Sequence, residues 1–380
     1  MIINYETLEQ TYRSHGQETT EAIIESIQKG ELKPDDFSIR GLAKAILGQE
    51  KVQQMDPRLN NHLVLDRDNV DVIAFSTIVH KIITSKILES YSQDAFIFSK
   101  LVDVIPKDTP KDTTNIDVEE SIDSAESTRR GFIVPVTSDS IFYDRTGQIL
   151  LRASEVGEIL GLNKEKRLLD VLIGITNNYV WKGTPFNTYN ATDVTFNTYS
   201  TRGTGVAPDG NWVNQIDDEL IDWTDVDAAE QIFSNIVDPN TGESLLTHAT
   251  TVLVMPAYRH AAHRIFNATE IKYSSGTSEA IAPNPLANYT VVESRLAYRR
   301  LLAASIDAAS AKKYWFIGDF KKAFSYVEDW PLSVVEAPLS EFGSFGEFGD
   351  GIILRFKASE KGEALMKDPR YVVMSTGSKP

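Results

Sequence analysis

The stretch from Pro106 to Arg130 constrains this chain more than any other. Its large apolar side chains are Ile116, Val118 and Ile122. Around them stand seven acids: Asp108, Asp112, Asp117, Glu119, Glu120, Asp123 and Glu126. Such a segment cannot bury enough apolar surface to offset the entropy lost on ordering. Alone it reads as a linker. Inside a folded chain a polar stretch this long reads as a functional loop or one held by a partner.

The flanking sequence is mixed. Before the stretch, short amphipathic helices are predicted. Ala22, Ile23, Ile24 and Ile27 share a face, and Gly30 with Pro34 ends that run. Ser38 is a candidate N-cap for a helix closed by Gly48. A third helical pattern runs from Val70 to Tyr91 through Ile73, Ile78, Ile82 and Ile83.

After the stretch, Gly131 to Val136 reads as a strand and Asp144 to Gly147 as a turn. Ala153 to Leu160 is a predicted helix stopped by Gly161, and Asn163 caps a second one up to about Ile175. Residues 176–215 read as a long loop or irregular β region. Further helices are expected from Thr224 and from Tyr258 to Ala268, with a turn at Asp238 to Gly242. Strands are expected at Thr251 to Pro256, Tyr314 to Gly318, Phe324 to Val327, Leu332 to Val335 and Ile352 to Phe356. The pattern is α+β, without the regular alternation of a doubly wound sheet.

Composition narrows the chemistry. None of the 380 residues is Cys, which removes disulfides, thiol nucleophiles and thiolate metal sites. The net charge of −16 argues against a protein whose main task is gripping nucleic-acid phosphates. The N-terminus lacks a secretion signal, and no apolar run approaches the roughly 18 residues of a membrane span.

Catalytic signatures are missing as well: there is no phosphate-binding P-loop, no dinucleotide loop, no GxSxG and no HExxH. His260 and His263 stand at metal-ligand spacing, but Arg259 and Arg264 beside them disfavour a cation. The acids from Asp217 to Asp227 lack the pattern of a calcium loop and read as a solvated face. The three Asn-x-Thr triplets read as chance. No catalytic, cofactor or metal site is expected. Phe342-Gly343, Phe345-Gly346 and Phe348-Gly349 form a small repeat, read as a Gly-rich turn or an exposed tip that docks a neighbour.

Four segments together resemble the major capsid proteins of tailed double-stranded DNA bacteriophages. They are Asp144 to Arg167, Asp238 to Ile265, Trp315 to Leu332 and Arg355 to Met374. The resemblance implies the Johnson fold. On it, residues 1–95 are an N-terminal helical arm and 96–141 an extended loop. Residues 142–223 begin the peripheral domain with its spine helix, 224–311 are the axial domain, and 312–380 return strands to both domains.

From Lys100 to Ile141 the loop would be a two-stranded hairpin lying over an adjacent subunit. About 13 residues each way would reach about 40 Å. An isolated hairpin is marginal in water, so its order would come from the neighbour.

The resemblance further implies hexamers and pentamers of this chain in an icosahedral shell. The shell would enclose DNA without sequence-specific binding, with portal, scaffolding or decoration proteins as further partners. It would be a virion capsid assembled in the bacterial cytoplasm. Candidate contacts between subunits are Lys107, Lys111, Glu119, Glu120, Arg129, Arg130, Phe342, Phe345 and Phe348. No partner residues mark a Lys–Asn cross-link, and no N-terminal cleavage is expected. Two other readings stand: an encapsulin-like compartment, and a carboxylate-based hydrolase.

Overall fold

A computed structural model describes residues 3–59, 69–106, 129–181, 184–191, 194–195, 211–236, 247–275, 278–337 and 351–377. Lys107, Lys111, Glu119, Glu120, Phe342, Phe345, Phe348 and the expected turn at Asp238 to Gly242 lie outside the described residues. The chain forms two compact units. One comprises the described residues of Met1–Ala95, Thr128–Asn163 and Trp330–Lys361, the other those of Phe96–Ser127, Lys164–Asp329 and Gly362–Pro380. Among the described residues no helix is long and apolar enough to cross a membrane.

In the first unit, helices pack on strands that are open on one side. Asn4 caps Tyr5–Ser14, and Gly16–Gln28 follows. Ser38 caps Ile39–Ile46 by accepting from the Gly41 amide, as the sequence predicted. The helix Val70–Tyr91 also has its predicted span. Ile78, Ile82 and Ile83 are buried, but Ile73 is 47% exposed, because it falls off the face that meets the core.

The core joins Ile39, Leu42, Phe75 and Ile87 to Val134 and Val136 of the strand Arg129–Thr137 and to Leu354 and Phe356. Gly157 permits a close helix approach. A Cβ there would lie 2.4 Å from the Ile87 carbonyl oxygen.

The predicted helix break at Gly161 does not occur: one helix runs from Thr146 to Ile173. An interior glycine costs about 1 kcal/mol relative to Ala. Burial of Leu160, Leu168, Leu169 and Leu172 exceeds that cost. The strands expected at 324–327 and 332–335 are likewise one strand, Phe324–Glu336, running through Pro331. Ile352–Phe356 is only the beginning of the strand Ile352–Met366. Charged residues at Lys357, Glu360 and Lys361 hid the remainder from an apolar pattern.

In the second unit, a five-stranded sheet forms the centre. Its order is Thr290–Glu293, Thr251–Val254, Trp315–Gly318, Val372–Ser375 and Gln215–Ile216. The first pair and the last pair are parallel, and the two inner pairings are antiparallel. Every residue of the three inner strands is buried. A Cβ on Gly318 would lie 2.2 Å from the Tyr371 carbonyl oxygen, so the end of that inner strand needs glycine.

The helix Trp223–Asn235 begins at the Asp222 cap and buries Val226, Ala229 and Phe233. Phe98 meets Phe320 and Phe324 edge-to-face at centroid distances of 5.5 and 5.6 Å.

The predicted irregular β region holds short strands. Buried Asn214 organises it: its amide donates to the Thr188 and Pro369 carbonyls, and its side-chain oxygen accepts from the Asn190 amide. The α+β class is as expected.

Candidate assembly surfaces

The acidic segment is approached by two limbs, and the described parts of these do not pair with each other. Asp103–Pro106 pairs in parallel with Ser325 to Glu328. Arg129–Thr137 pairs antiparallel with Ile352 to Lys361. The expected two-stranded hairpin from Lys100 to Ile141 is therefore corrected at both ends. Each limb gains its ladder hydrogen bonds from a strand distant in sequence.

The first limb is anchored in the second unit. The short helix Phe98–Leu101 offers free amides, and the Glu165 carboxylate accepts from those of Phe98 and Ser99, each at 2.7 Å. Glu165 is 1% exposed, and burial raises its pKa while the two amides oppose the rise. Beside it, Lys164 pairs with Glu328 at 3.1 Å and lies 4.3 Å over the Tyr326 ring. Arg167 donates to the Gly362 carbonyl. One turn further along, Asp170 takes a two-pronged contact from Arg300, at 2.6 and 2.7 Å.

The second limb, in the first unit, has two unlike faces. Val134 and Val136 point into the core. On the other side Ile133, paired in register with Lys357, is 60% exposed. The same unit leaves Val335 and Trp330 exposed at 57% and 51%.

Arg129 and Arg130, both expected contact residues, begin this strand opposite Lys361 and Glu360. The Arg129 guanidinium lies 4.9 Å over the Trp330 ring and 3.4 Å from the Ser359 hydroxyl. Arg355 and Lys357 alternate with buried Leu354, Phe356 and Ala358 along the partner strand. The strands thus combine cations with exposed apolar side chains, in a chain whose net charge is −16. Sequence reading singled out Arg129 and Arg130 and missed Ile133, Trp330, Val335 and Lys357. The period-two alternation around Val134 and Phe356 was the signal that could have found Ile133 and Lys357.

The remaining candidates take simple places. His260 and His263 are exposed on the helix Arg259–Phe266, and the His263 ring lies 2.9 Å from the Asn267 amide. Among the described residues no cluster of potential ligands could hold a metal ion.

The acids from Asp217 to Asp227 are not simply a solvated face. Glu219 accepts from the Tyr258 hydroxyl and from Lys313, the latter at 2.7 Å. These two contacts hold its carboxyl below its usual range. Burial, then the Glu219 contact, pushes the Tyr258 phenol up to about 12. Asp217 accepts from Thr376, and Asp225 accepts from the Ile221 and Asp222 amides.

No curated protein matches the chain. Among solved structures, it is similar to a virus-like particle from Pyrococcus furiosus at 11% identity. That overlap covers 77% of this chain and 96% of the other, with a TM-score of 0.37. It is similar to the holo-SrpI encapsulin complex from Synechococcus elongatus PCC 7942 at 12% identity, covering 74% and 87%, with a TM-score of 0.36. It is also similar to a structure of Gordonia phage Cozz at 11% identity, covering 74% and 85%, with a TM-score of 0.36. These are distant likenesses. The sequence match to the family described as phage capsid protein covers residues 120–375, well over half of the 380 residues, and the chain belongs to that family.

Proposed function

We propose that this capsid protein builds an icosahedral shell of hexamers and pentamers around packaged double-stranded DNA. In that shell the acidic segment of each copy docks on a neighbouring copy. The observation that carries this reading is a surface of the first unit where exposed Ile133 is paired with Lys357 and Arg129 lies over exposed Trp330. It complements the acids of residues 108–126 in charge and Ile116, Val118 and Ile122 in polarity. A patch that joins apolar anchors to cations suits a protein partner.

On this reading 96–141 is the extended loop and 224–311 the axial domain. Lys107, Lys111, Glu119 and Glu120 face a neighbour, as do Phe342, Phe345 and Phe348. The subunit's work is structural rather than catalytic. Assembly takes place in the bacterial cytoplasm, with portal, scaffolding or decoration proteins as further partners.

A charge-swap experiment tests this. Arg129→Glu with Lys357→Glu should leave the subunit folded, as judged by its melting temperature, and abolish shells in electron micrographs. Adding Glu119→Lys and Glu120→Lys to the same chain should restore them. Intact shells from the first variant would refute the docking. The encapsulin-like reading differs in its contents: a protein cargo without nuclease-protected DNA would favour it.

A further inference from the structure

The second unit carries a differently built cationic surface. Two adjacent parallel strands, Thr251–Val254 and Thr290–Glu293, are each followed closely by a helix, Arg259–Phe266 and Arg295–Ala303. Glu293 draws the starts of the two helices together. Its carboxylate pairs with Arg259 at 3.1 Å and with Arg295 at 3.4 Å. Neither helix contains an acid.

The buried face of the first helix is Ala262, Ile265 and Phe266, and that of the second includes Ala297 and Leu301. The outward positions are Arg259, His260, His263 and Arg264 on one, and Arg295 and Arg299 on the other. The Arg295 side chain is 85% exposed. Arg300, by contrast, is committed to Asp170.

This arrangement works against the helices that carry it. Arg259 and Arg295 sit in first turns, where the helix dipole disfavours cations. Arg295 and Arg299 repel at i,i+4 spacing. Glu293 offsets this only in part, because one carboxylate serves two guanidiniums, and among the described residues Arg264 and Arg299 have no acid partner; cations kept at such a cost mark a functional surface.

The surface also lacks what a protein partner would want. No large apolar side chain on either helix is exposed, whereas the first unit exposes Ile133, Trp330 and Val335. Exposed arginines without apolar anchors suit a polyanion, because the planar guanidinium matches phosphate oxygens.

We propose that Arg259, Arg264, Arg295 and Arg299 form a contact site for the phosphate backbone of duplex nucleic acid. Binding there is weak, independent of sequence and sensitive to salt. The net charge of −16 keeps it from becoming a trap.

The test is an anisotropy titration of the full-length protein with a labelled random-sequence DNA duplex. If three phosphates are neutralised, affinity should fall roughly 40-fold between about 50 and 200 mM salt. Replacing Arg264, Arg295 and Arg299 together by Gln should lower affinity at least about tenfold at low salt and flatten the salt dependence. Replacing the same three by Lys should retain most of the binding, which separates charge from misfolding. Lys44→Gln, on the exposed side of the helix Ile39–Ile46 in the other unit, should leave binding unchanged.

Undiminished binding by the Gln variant would overturn the proposal. So would a peptide of residues 108–126 that displaces the duplex at concentrations below those of unlabelled duplex, since the site would then be one for an acidic protein segment. These outcomes are read without shells, so they are separate from the docking reading above.

Discussion

The inner strands of the second unit and the outer strands of the first are built from the same residue types to different ends. Thr251–Val254, Trp315–Gly318 and Val372–Ser375 are buried at every position. Arg129–Thr137 and Ile352 to Lys361 bury Val134, Val136, Leu354 and Phe356 and leave Ile133 and Lys357 in solvent. Strands covered on both faces stabilise the fold; a strand covered on one face has a side left over for other molecules.

Phe316→Ala puts that difference under the greatest strain. Phe316 is completely buried in the central sheet, so its truncation should cost about 3–5 kcal/mol in thermal or urea unfolding. A loss below about 1 kcal/mol would mean that this sheet is not the stabilising element. Gly318→Ala should cost about 1–3 kcal/mol, since its new methyl group would collide with the Tyr371 carbonyl.

Ile133→Ser should shift stability by no more than about 0.5 kcal/mol. Its effect should appear instead as a lower yield of assembled particles. A large drop in melting temperature would show that Ile133 serves the fold, and the contrast would collapse.

The smallest effect concerns pH. Burial raises the Glu363 carboxyl above its ordinary 4.5, Arg167 opposes that rise, and Asp329 adds to it. The folded protein therefore holds this proton more tightly than the unfolded chain. Stability is lost as pH rises from 4.5 through the raised value. Glu363→Gln should match the parent below pH 4.5 and exceed it at neutral pH by no more than about 0.5 kcal/mol, because the group is partly solvated. Equal melting curves across pH would show that Glu363 gains nothing from neutralisation.

Much of the fold was legible where local chemistry agreed with global packing. Ser38 and the isoleucines of Val70–Tyr91 announced their helices, and Thr251–Val254 and Trp315–Gly318 stood out as continuous apolar runs. Gly161 misled because tertiary burial overrides propensity. Pro331 misled because a strand interrupted in sequence is not always interrupted in space.

The open surface of the first unit was legible only through its arginines. Ile133 read only as one residue of a strand until the pairing of that strand with Ile352 to Lys361 fixed which face it takes. Glu165 was invisible for a different reason: its partners are backbone amides, which have no signature in sequence.

The pairing of the two limbs also sets a timetable. Asp103–Pro106 leaves the ribosome more than 200 residues before Ser325 to Glu328, the segment it pairs with. At about 5–20 residues per second, the interval is on the order of 10–40 s. Arg129–Thr137 waits similarly for Ile352 to Lys361. Through that interval a nascent chain carries two unsatisfied strand edges, which are templates for premature association with other nascent chains. The acids lying between those edges in sequence are charges of the kind that natural sequences place beside exposed strands as gatekeepers.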